Sequence, residues 1–325
     1  MTSFAGRLHG PPLMVTVAGW PTLSRFQETK GEDSFVKRAV ISDIHANLAA
    51  FERVLEHIRE QGIEEIYCLG DIIGYGPDPR KCIDLAADFS LNLLGNHEEA
   101  VCLGAIGFNP KAKIAIDWTR KQLNLETEPP DKNRELWNFL GRLEKRHKDG
   151  DFFFVHGSPR EPTREYIFKQ DFKDRAKMDA LFGSPGDIEW KVCLFGHNHQ
   201  PGIFLEGDPY GFLAPADCGH EYRHAGLKSR ILVSVGSVGQ PRDGDWRASY
   251  VTVDDEMIHF HRVEYDHRRA IERYEEVPEL PARLAHLPGT PFAEDELAAT
   301  GRLREITDAA SVKAAKRSRK KPSSP

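Results

Sequence analysis

The segment Ala39-Val-Ile-Ser-Asp-Ile-His-Ala-Asn47 joins a short apolar run to two side chains that can bind a metal ion. Its apolar residues 39–41 predict a β-strand that ends where the chain must turn. Asp43 and His45 lie at that turn, separated by a single residue. Strands of a parallel sheet present their carboxyl ends to the crevice where ligands bind, so this pair predicts further metal ligands at the ends of other strands.

Four more apolar runs end in side chains of the same metal-binding types. Gly70-Asp71 follows residues 65–69, Gly95-Asn96-His97-Glu98 follows residues 90–94, His156 follows residues 151–155, and Gly196-His197-Asn198-His199 follows residues 191–195. We therefore expect five strand ends to meet at one site.

The side chains at these strand ends provide a candidate set of metal ligands. Two divalent metal ions about 3.5–4 Å apart need a bridging carboxylate with ligands on either side, and such a pair can hold two phosphoryl oxygens. The mixture of imidazole and oxygen donors favours Mn, Fe, Zn, Co or Ni over Ca, and the lack of cysteine argues against a closed structural zinc site. The candidate ligands are Asp43, His45, Asp71, Asn96, His156, His197 and His199.

The order of the predicted elements indicates an α/β fold. Asn47 can cap a helix that ends before Gly62, and two further strands follow in a β-α-β-α-β rhythm. Right-handed crossovers make this sheet parallel. The pattern is helical over residues 98–147 and strand-rich beyond residue 151, which implies a second sheet. We expect two mixed β-sheets packed as a sandwich flanked by helices, with a dinuclear metal site at the sheet edge.

Some finer features of the secondary structure are also predicted. Residues 91–94 are expected to form the third strand, and residues 171–181 are expected to form a helix. His259 and His261 alternate along a predicted strand, so both are expected to face solvent or the sheet edge.

Composition divides the 325-residue chain into four segments. Residues 1–34 lack periodicity and are expected to be a loosely ordered extension, whereas residues 35–264 carry all five ligand blocks and form the main domain. Residues 265–310 are expected to be a helical extension. Residues 311–325 have the composition of a disordered basic tail, whereas the whole chain has a formal net charge of −6. The tail contains Lys313, Lys316, Arg317, Arg319, Lys320 and Lys321.

Cysteine usage and hydropathy predict a cytoplasmic protein. The five cysteines are odd in number and unpaired in spacing, which argues against a disulfide framework. The longest early apolar stretch, residues 13–20, is far shorter than the roughly 20 residues that span a membrane. Cys218, His220 and His224 lie close together in the sequence, but three local ligands in a polar loop do not favour a second metal site.

The five blocks in this order resemble the calcineurin-like metallophosphoesterase superfamily. The resemblance covers about residues 36–264, and five blocks together are far more specific than any one of them. The sequences of residues 70–79, 156–159, 165–167 and 237–245 are similar to those of the small bacterial phosphodiesterase-type branch. That branch is often described as related to diadenosine tetraphosphatases and serine/threonine phosphatases.

The resemblance implies a metal-dependent phosphoester hydrolase, and a phosphodiesterase in particular, in which a metal-bridging hydroxide attacks phosphorus. His97 matches the residue that protonates the leaving oxygen, a role suited to an imidazole that titrates near neutrality. The resemblance assigns Asp43, His45 and His199 to the first metal, Asn96, His156 and His197 to the second metal, and Asp71 to the bridge.

One block departs from the serine/threonine phosphatase pattern Gly-Asp-x-Val-Asp-Arg-Gly. In that branch the Arg contacts phosphate and the second Asp orients the catalytic His, whereas Gly74 and Tyr75 occupy those positions here. A planar cation for the phosphate must come from elsewhere, and Arg242 and Arg160 are the candidates. Tyr75 could line the substrate pocket or could simply pack over the sheet.

Other functions stay open at this stage. The same fold serves as a protein-interaction scaffold in a retromer subunit, but that protein has lost the acid histidine, whereas His97 is present here. A phosphoprotein or nucleotide phosphatase would use the same blocks. A nuclease would give the basic tail a role in binding nucleic acid. The expected partner is a phosphoester substrate rather than a membrane, and the sequence specifies no oligomeric state.

Overall fold

The computed structural model describes residues 37–280. The predicted segments 1–34 and 311–325 lie outside the described residues, as does the C-terminal extension beyond residue 280. The described elements are, in chain order, β1 (Arg38–Ile41), α1 (Leu48–Glu60), β2 (Glu65–Cys68), α2 (Pro79–Ala86), β3 (Leu91–Asn92), α3 (Asn96–Leu103), α4 (Pro110–Gln122), α5 (Pro130–Gly141), β4 (Arg146–Asp149), β5 (Phe152–Val155), α6 (Arg175–Phe182), β6 (Val192–Phe195), β7 (Gly202–Leu205), β8 (Gly211–Leu213), β9 (Glu221–Arg223), β10 (Ile231–Ser234), β11 (Ala248–Val253), β12 (Met257–Val263) and α7 (His267–Glu275).

These strands form two six-stranded mixed sheets. The first sheet has the order β3-β2-β1-β11-β12-β9, in which β1, β2 and β3 are parallel and β1 is antiparallel to β11. The second sheet has the order β4-β5-β6-β10-β7-β8, in which β5, β6 and β10 are parallel. The parallel strands of both sheets therefore supply the carboxyl ends that carry the candidate ligands.

The layers of the fold follow from the alternation of side chains along each strand. In β1, Val40 packs between the two sheets, whereas Ala39 and Ile41 pack on the opposite face with residues of α1. In β5, Phe154 faces the space between the sheets, whereas Phe153 packs on the outer face with residues of α6. The molecule is thus a helix-sheet-sheet-helix sandwich, which confirms the predicted fold class.

Helix α1 begins as the sequence predicts, because the Asn47 side chain accepts a hydrogen bond of 3.2 Å from the Ala50 backbone N–H. The third strand is shorter than predicted and covers only Leu91–Asn92. The Leu93 N–H still donates to the Cys68 carbonyl at 2.8 Å, and Leu93 also forms an isolated bridge to Glu144. The helix predicted over residues 171–181 is Arg175–Phe182, preceded by a 3₁₀ turn over Lys169–Lys173.

The expectation for His259 and His261 is wrong in one respect. Strand β12 pairs with β9 over Met257–His259, so His259 lies inside the sheet and not at its edge. The His261 ring stacks on Tyr250 with ring centroids 4.6 Å apart, so it is half-buried under α1. A period-2 pattern shows which residues share a face of a strand, but not what covers that face.

All five cysteines are free, and Cys68, Cys82 and Cys193 are buried. None of the helices within residues 37–280 is both long enough and apolar enough to cross a bilayer.

Candidate metal centre

The seven candidate ligands meet at the carboxyl ends of the parallel strands, in a cluster that we call the metal centre. Most of them have a left-handed backbone, a conformation that costs a non-glycine residue about 1–3 kcal/mol unless the surrounding structure holds it. The Asp43 N–H donates to the Gly70 carbonyl at 3.0 Å, and the His45 N–H donates to the Asp71 carbonyl at 2.9 Å. The left-handed ligands are Asp43, His45, Asp71, His197 and His199, with φ of 54°, 49°, 53°, 66° and 59°.

The first group of ligands consists of Asp43, His45 and His199, and all three side chains are buried. His199 Nε2 lies 3.1 Å from Asp43 Oδ1 and 3.1 Å from His45 Nε2. These atoms are close enough to one another to bind the same metal ion.

The second group consists of Asp71, His156 and His197, with Asn96 beside it. His156 Nε2 lies 3.4 Å from Asp71 Oδ2, 3.1 Å from Asn96 Oδ1 and 3.1 Å from His197 Nδ1. Asp71 Oδ2 is also 3.7 Å from His45 Nε2. Asp71 therefore lies between the two groups.

Backbone carbonyls orient the four candidate histidine ligands. A carbonyl oxygen can only accept, so the ring nitrogen that faces it carries the proton and the other ring nitrogen of the neutral imidazole presents a lone pair to the centre. The contacts are His45 Nδ1 to Ile73 O at 3.4 Å, His156 Nδ1 to Leu69 O at 3.1 Å, His197 Nε2 to Arg164 O at 3.1 Å, and His199 Nδ1 to Gln240 O at 2.6 Å.

This orientation fits a metal cation. With these tautomers, the inward nitrogens of His45 and His199 present lone pairs to each other at 3.1 Å, and Asp43 Oδ1 is buried without a hydrogen bond from any described residue. Burial alone would lower the pKa of His156, but the nearby Asp71 carboxylate raises it to about 9. The carboxylates thus favour positive charge in the centre, and the donor set of imidazoles, carboxylates and an amide oxygen suits first-row divalent ions.

His97 lies beside the centre, and it offers a ring nitrogen close enough to ligand atoms of His45 and Asp71 for the three to hold a metal ion. Its backbone N–H donates to Asp71 Oδ1 at 2.9 Å, and its Nε2 is 4.0 Å from Asp71 Oδ2. The ring is buried between Tyr75 and Phe108, and burial lowers its pKa to about 4. Its Nδ1 is buried without a hydrogen-bond partner among residues 37–280.

Gly74 lies directly against this histidine. A Cβ at Gly74 would approach His97 Nδ1 to 2.1 Å, and its φ of +84° also disfavours other residues. The aspartate of the serine/threonine phosphatase pattern therefore has no space here unless the His97 ring moves.

Glu98 is a structural residue of the centre that the sequence reasoning missed. Its buried carboxylate accepts backbone hydrogen bonds from Asp71 at 2.9 Å, Ile73 at 3.0 Å and Gly95 at 3.0 Å. Burial and the neighbouring Asp71 raise its pKa to about 7. A signal for it exists, because Glu98 occupies the third position of a helix after Gly95, where a side chain can cap backbone N–H groups.

The three candidates for substrate contact have different surroundings. The Tyr75 ring lies 4.7 Å from that of His45 and 4.4 Å from that of His97. Burial raises the pKa of Tyr75, and the positive charge of Arg242 opposes the rise, while the Arg242 guanidinium donates to Gln240 Oε1 at 2.7 Å. Arg160 instead forms an ion pair with Glu165, so its charge already has a partner.

The other possible ligands do not join the centre. None of the groups within residues 37–280 that could hold a metal ion contains Cys218, His220 or His224. Asn47 caps α1 and donates to the Gly239 carbonyl at 2.9 Å, which makes it a structural residue next to the centre.

The fold and the centre define an α/β sandwich protein whose strand ends can hold metal ions. The sequence profile described as calcineurin-like phosphoesterase matches residues 36–203. The chain belongs to this family, which confirms the resemblance seen in its sequence and indicates a phosphoester hydrolase.

Relatives with known structures or sequences agree with this assignment. The crystal structure of a metallophosphoesterase from Sphaerobacter thermophilus is 34% identical, with a TM-score of 0.63, over 78% of this chain and 97% of that chain. An uncharacterized protein of Methanocaldococcus jannaschii is 38% identical over 247 residues, which are 72% of this chain and 90% of the relative. A hypothetical protein from Pyrococcus horikoshii OT3, at 22% identity and a TM-score of 0.58, covers 78% of this chain and 98% of its own and shows the fold alone.

Proposed function

We propose that the chain is a metal-dependent phosphoester hydrolase that acts as a phosphodiesterase. The observation that carries the proposal is the position of Asp71. Its Oδ2 atom lies 3.7 Å from His45 Nε2 and 3.4 Å from His156 Nε2, between two groups of inward-facing ligand atoms. A carboxylate shared in this way is what a pair of divalent ions requires.

Two divalent ions, when bound, supply the hydroxide nucleophile and neutralise charge on the phosphoryl oxygens. The set of imidazole and oxygen donors suits Mn, Fe, Zn, Co or Ni. Asp71 would be shared, the first ion would be held by Asp43, His45 and His199, and the second ion would be held by Asn96, His156 and His197.

His97 is proposed as the general acid. Its Nε2 lies 4.0 Å from Asp71 Oδ2, farther away than the Nε2 atoms of His45 and His156, and its Nδ1 has no hydrogen-bond partner among residues 37–280. An imidazole in this position can transfer a proton beside the centre. Burial lowers the pKa of the free ring to about 4, and an anionic phosphoester in contact would favour its protonated form. The proton would move from the imidazole to the leaving oxygen as the P–O bond breaks.

Arg242 is proposed to bind the non-bridging phosphate oxygens. Its backbone N–H donates to the His199 carbonyl at 3.2 Å, and, in addition to burial, its positive charge lowers the pKa of His97 and opposes the rise in the pKa of Tyr75. Arg160 is paired with Glu165 and does not add a second cation. A single guanidinium matches the one negative charge of a diester better than the two charges of a monoester.

The presence of His97 and of all seven ligands argues against a scaffold role on this fold. The nucleotide or phosphoprotein phosphatase alternative uses the same centre and differs in the charge of the ester. Relative rates on matched esters therefore separate it from a phosphodiesterase.

The test is hydrolysis of bis-p-nitrophenyl phosphate and p-nitrophenyl phosphate by the Mn²⁺-loaded protein, with and without chelator. We expect faster cleavage of the diester, loss of activity with chelator, and a loss of about 10⁴-fold in Asp71→Asn. Asp149→Asn, the same chemical change at an exposed aspartate paired with Arg38, serves as the control. A protein that binds two metals and cleaves neither ester would refute the proposed activity.

A further inference from the structure

Two aromatic rings extend outward from one ligand of the metal centre. The Tyr166 ring stacks on His197 with ring centroids 3.6 Å apart and planes 24° apart. Phe168 continues this stack, with its centroid 5.1 Å from that of Tyr166 and the planes within 5° of parallel. Stacked rings touch at about 3.5–4.0 Å, so a centroid distance of 5.1 Å means that the two rings are offset. Part of each ring face is therefore left uncovered by the other ring.

Both aromatic side chains are exposed to solvent. Tyr166 is 36% exposed and Phe168 is 38% exposed, whereas Ile167 between them is fully buried. Apolar rings left in water beside a polar cleft are typical of ligand-binding sites, because a core residue would have been covered by the fold.

The exposed pair is held firmly in place. Asn198, which lies between the ligands His197 and His199, donates to the Ile167 carbonyl at 2.8 Å. On the other side, Lys177 Nζ donates to the Tyr166 carbonyl at 2.9 Å, and the Phe168 N–H donates to Asp171 Oδ2 at 2.7 Å. The backbone that carries the two rings is thus fixed before any ligand arrives, which lowers the entropic cost of binding.

A cation lies near the same rings. Burial raises the pKa of Tyr166 to about 12, and the charge of Arg242 opposes this rise. The site therefore combines metal ligands and a guanidinium for a phosphate with flat apolar faces for a neighbouring ring system. A nucleotide ester has these two parts, and a base stacks on an aromatic side chain whatever its hydrogen-bonding pattern.

We propose that Tyr166 and Phe168 form a stacking platform for a nucleobase, so that the phosphodiester hydrolysed at the centre is a nucleotide ester. This inference rests on the proposed function, because it names the substrate class of the same site. The platform binds the base and orients the ester, while the chemistry stays with the centre.

The test compares thymidine 5′-p-nitrophenyl phosphate with methyl p-nitrophenyl phosphate. Both esters have the same leaving group and one negative charge, but only the first carries a base. For the Mn²⁺-loaded wild type we expect kcat/KM to be at least about 10-fold higher for the thymidine ester, with the difference in KM. Chelator-sensitive cleavage of the methyl ester reports the proposed phosphodiesterase activity by itself.

Substitutions of Phe168 separate stacking from simple apolar contact. Phe168→Leu keeps an apolar side chain without a flat face and should bring the ratio of the two kcat/KM values close to one. Phe168→Trp enlarges the flat face and should keep or raise the ratio. Ile114→Ala, which shortens an apolar side chain that is 49% exposed on α4, should leave the ratio at its wild-type value.

Three outcomes would overturn the inference. Equal kcat/KM for the two esters in the wild type would refute the platform while leaving the phosphodiesterase in place. A Phe168→Leu variant that loses the same factor on both esters would show that the ring does not bind the base. If the wild type cleaves neither ester with metal bound, the proposed function fails and the inference fails with it.

Discussion

Two clusters of histidine rings, the metal centre and a second cluster under α1, show what separates a metal site from a structural one. In the centre, the ring centroids of His45 and His199 are 4.9 Å apart. In the second cluster, which consists of His57, Tyr250 and His261, the two histidine rings are 5.7 Å apart. Proximity of histidines alone therefore does not distinguish the two sites.

The partners of the ring nitrogens do distinguish them. His57 Nδ1 pairs with the Tyr250 hydroxyl at 2.9 Å, and His261 Nε2 pairs with the Thr252 hydroxyl at 2.9 Å, so each contact contains a hydrogen. In the centre, the inward nitrogens face other nitrogens and carboxylate oxygens. The second cluster lies on a regular helix and regular strands, whereas the centre uses left-handed residues. Carboxylates and lone pairs that face one another distinguish the cluster that could hold a metal ion.

The largest expected effect on activity comes from removing the proposed proton donor while the metal ions stay bound. His97→Ala should lower kcat on bis-p-nitrophenyl phosphate by about 1000-fold, because the leaving oxygen loses its proton donor. Metal content, measured by elemental analysis, should match the wild type. His57→Ala, a histidine removed from the second cluster, should change kcat by less than about twofold. Loss of metal from His97→Ala would show that this residue is a ligand.

A smaller effect is expected from the residue that holds the Asp71 loop. Glu98→Gln replaces one of the two accepting oxygens with an amide that cannot accept, so the backbone N–H groups of Asp71, Ile73 and Gly95 lose part of their support. Metal affinity, measured by competition with a chelating dye, should fall by about 10–100-fold. Glu99→Gln, a neighbour that pairs with Arg164, is the control. Equal metal affinities of Glu98→Gln and Glu99→Gln would contradict the proposed positioning role of Glu98.

The two candidate arginines are expected to differ in their effect on substrate binding. Arg242→Ala should raise KM for bis-p-nitrophenyl phosphate by about 10-fold or more, since a charge-assisted hydrogen bond to phosphate is lost, and Arg242→Lys should recover part of that loss. Arg160→Ala should have a smaller effect, because Arg160 is already paired with Glu165. The reverse order would assign the phosphate contact to Arg160.

The smallest effect concerns the second cluster and the pH dependence of stability. Burial lowers the pKa of His261 from its usual 6.5 to about 4. The unfolded chain then binds more protons than the native chain between these values, so this group favours folding above pH 6.5 and loses that contribution as the pH falls toward 4. His261→Phe should lose less stability than the wild type between pH 7 and pH 5 in urea titrations, with unchanged metal content. Parallel stability-pH curves for the two proteins would contradict this assignment.

Sequence patterns predicted the parts of the centre that depend on chain order. Each candidate ligand follows a run of apolar residues, and strands of a parallel sheet bring their carboxyl ends together, so the meeting of Asp43, Asp71 and His156 was predictable before any coordinates. The same reasoning predicted the sandwich, because strands made of consecutive apolar residues need cover on both faces of a sheet. It did not predict short polar strands such as β4 (Arg146–Asp149), because their side chains carry no apolar alternation.

The sequence by itself determined the fold class, the ligand types and their order, because these follow from local periodicity and from the residues at strand ends. Only the tertiary structure decided which arginine reaches the centre, how Glu98 holds the Asp71 loop, and that Tyr166 stacks on His197. The physical reason is that these contacts join residues that are remote in sequence. These contacts depend on the conformation of the loops in the folded protein, which sequence periodicity does not predict.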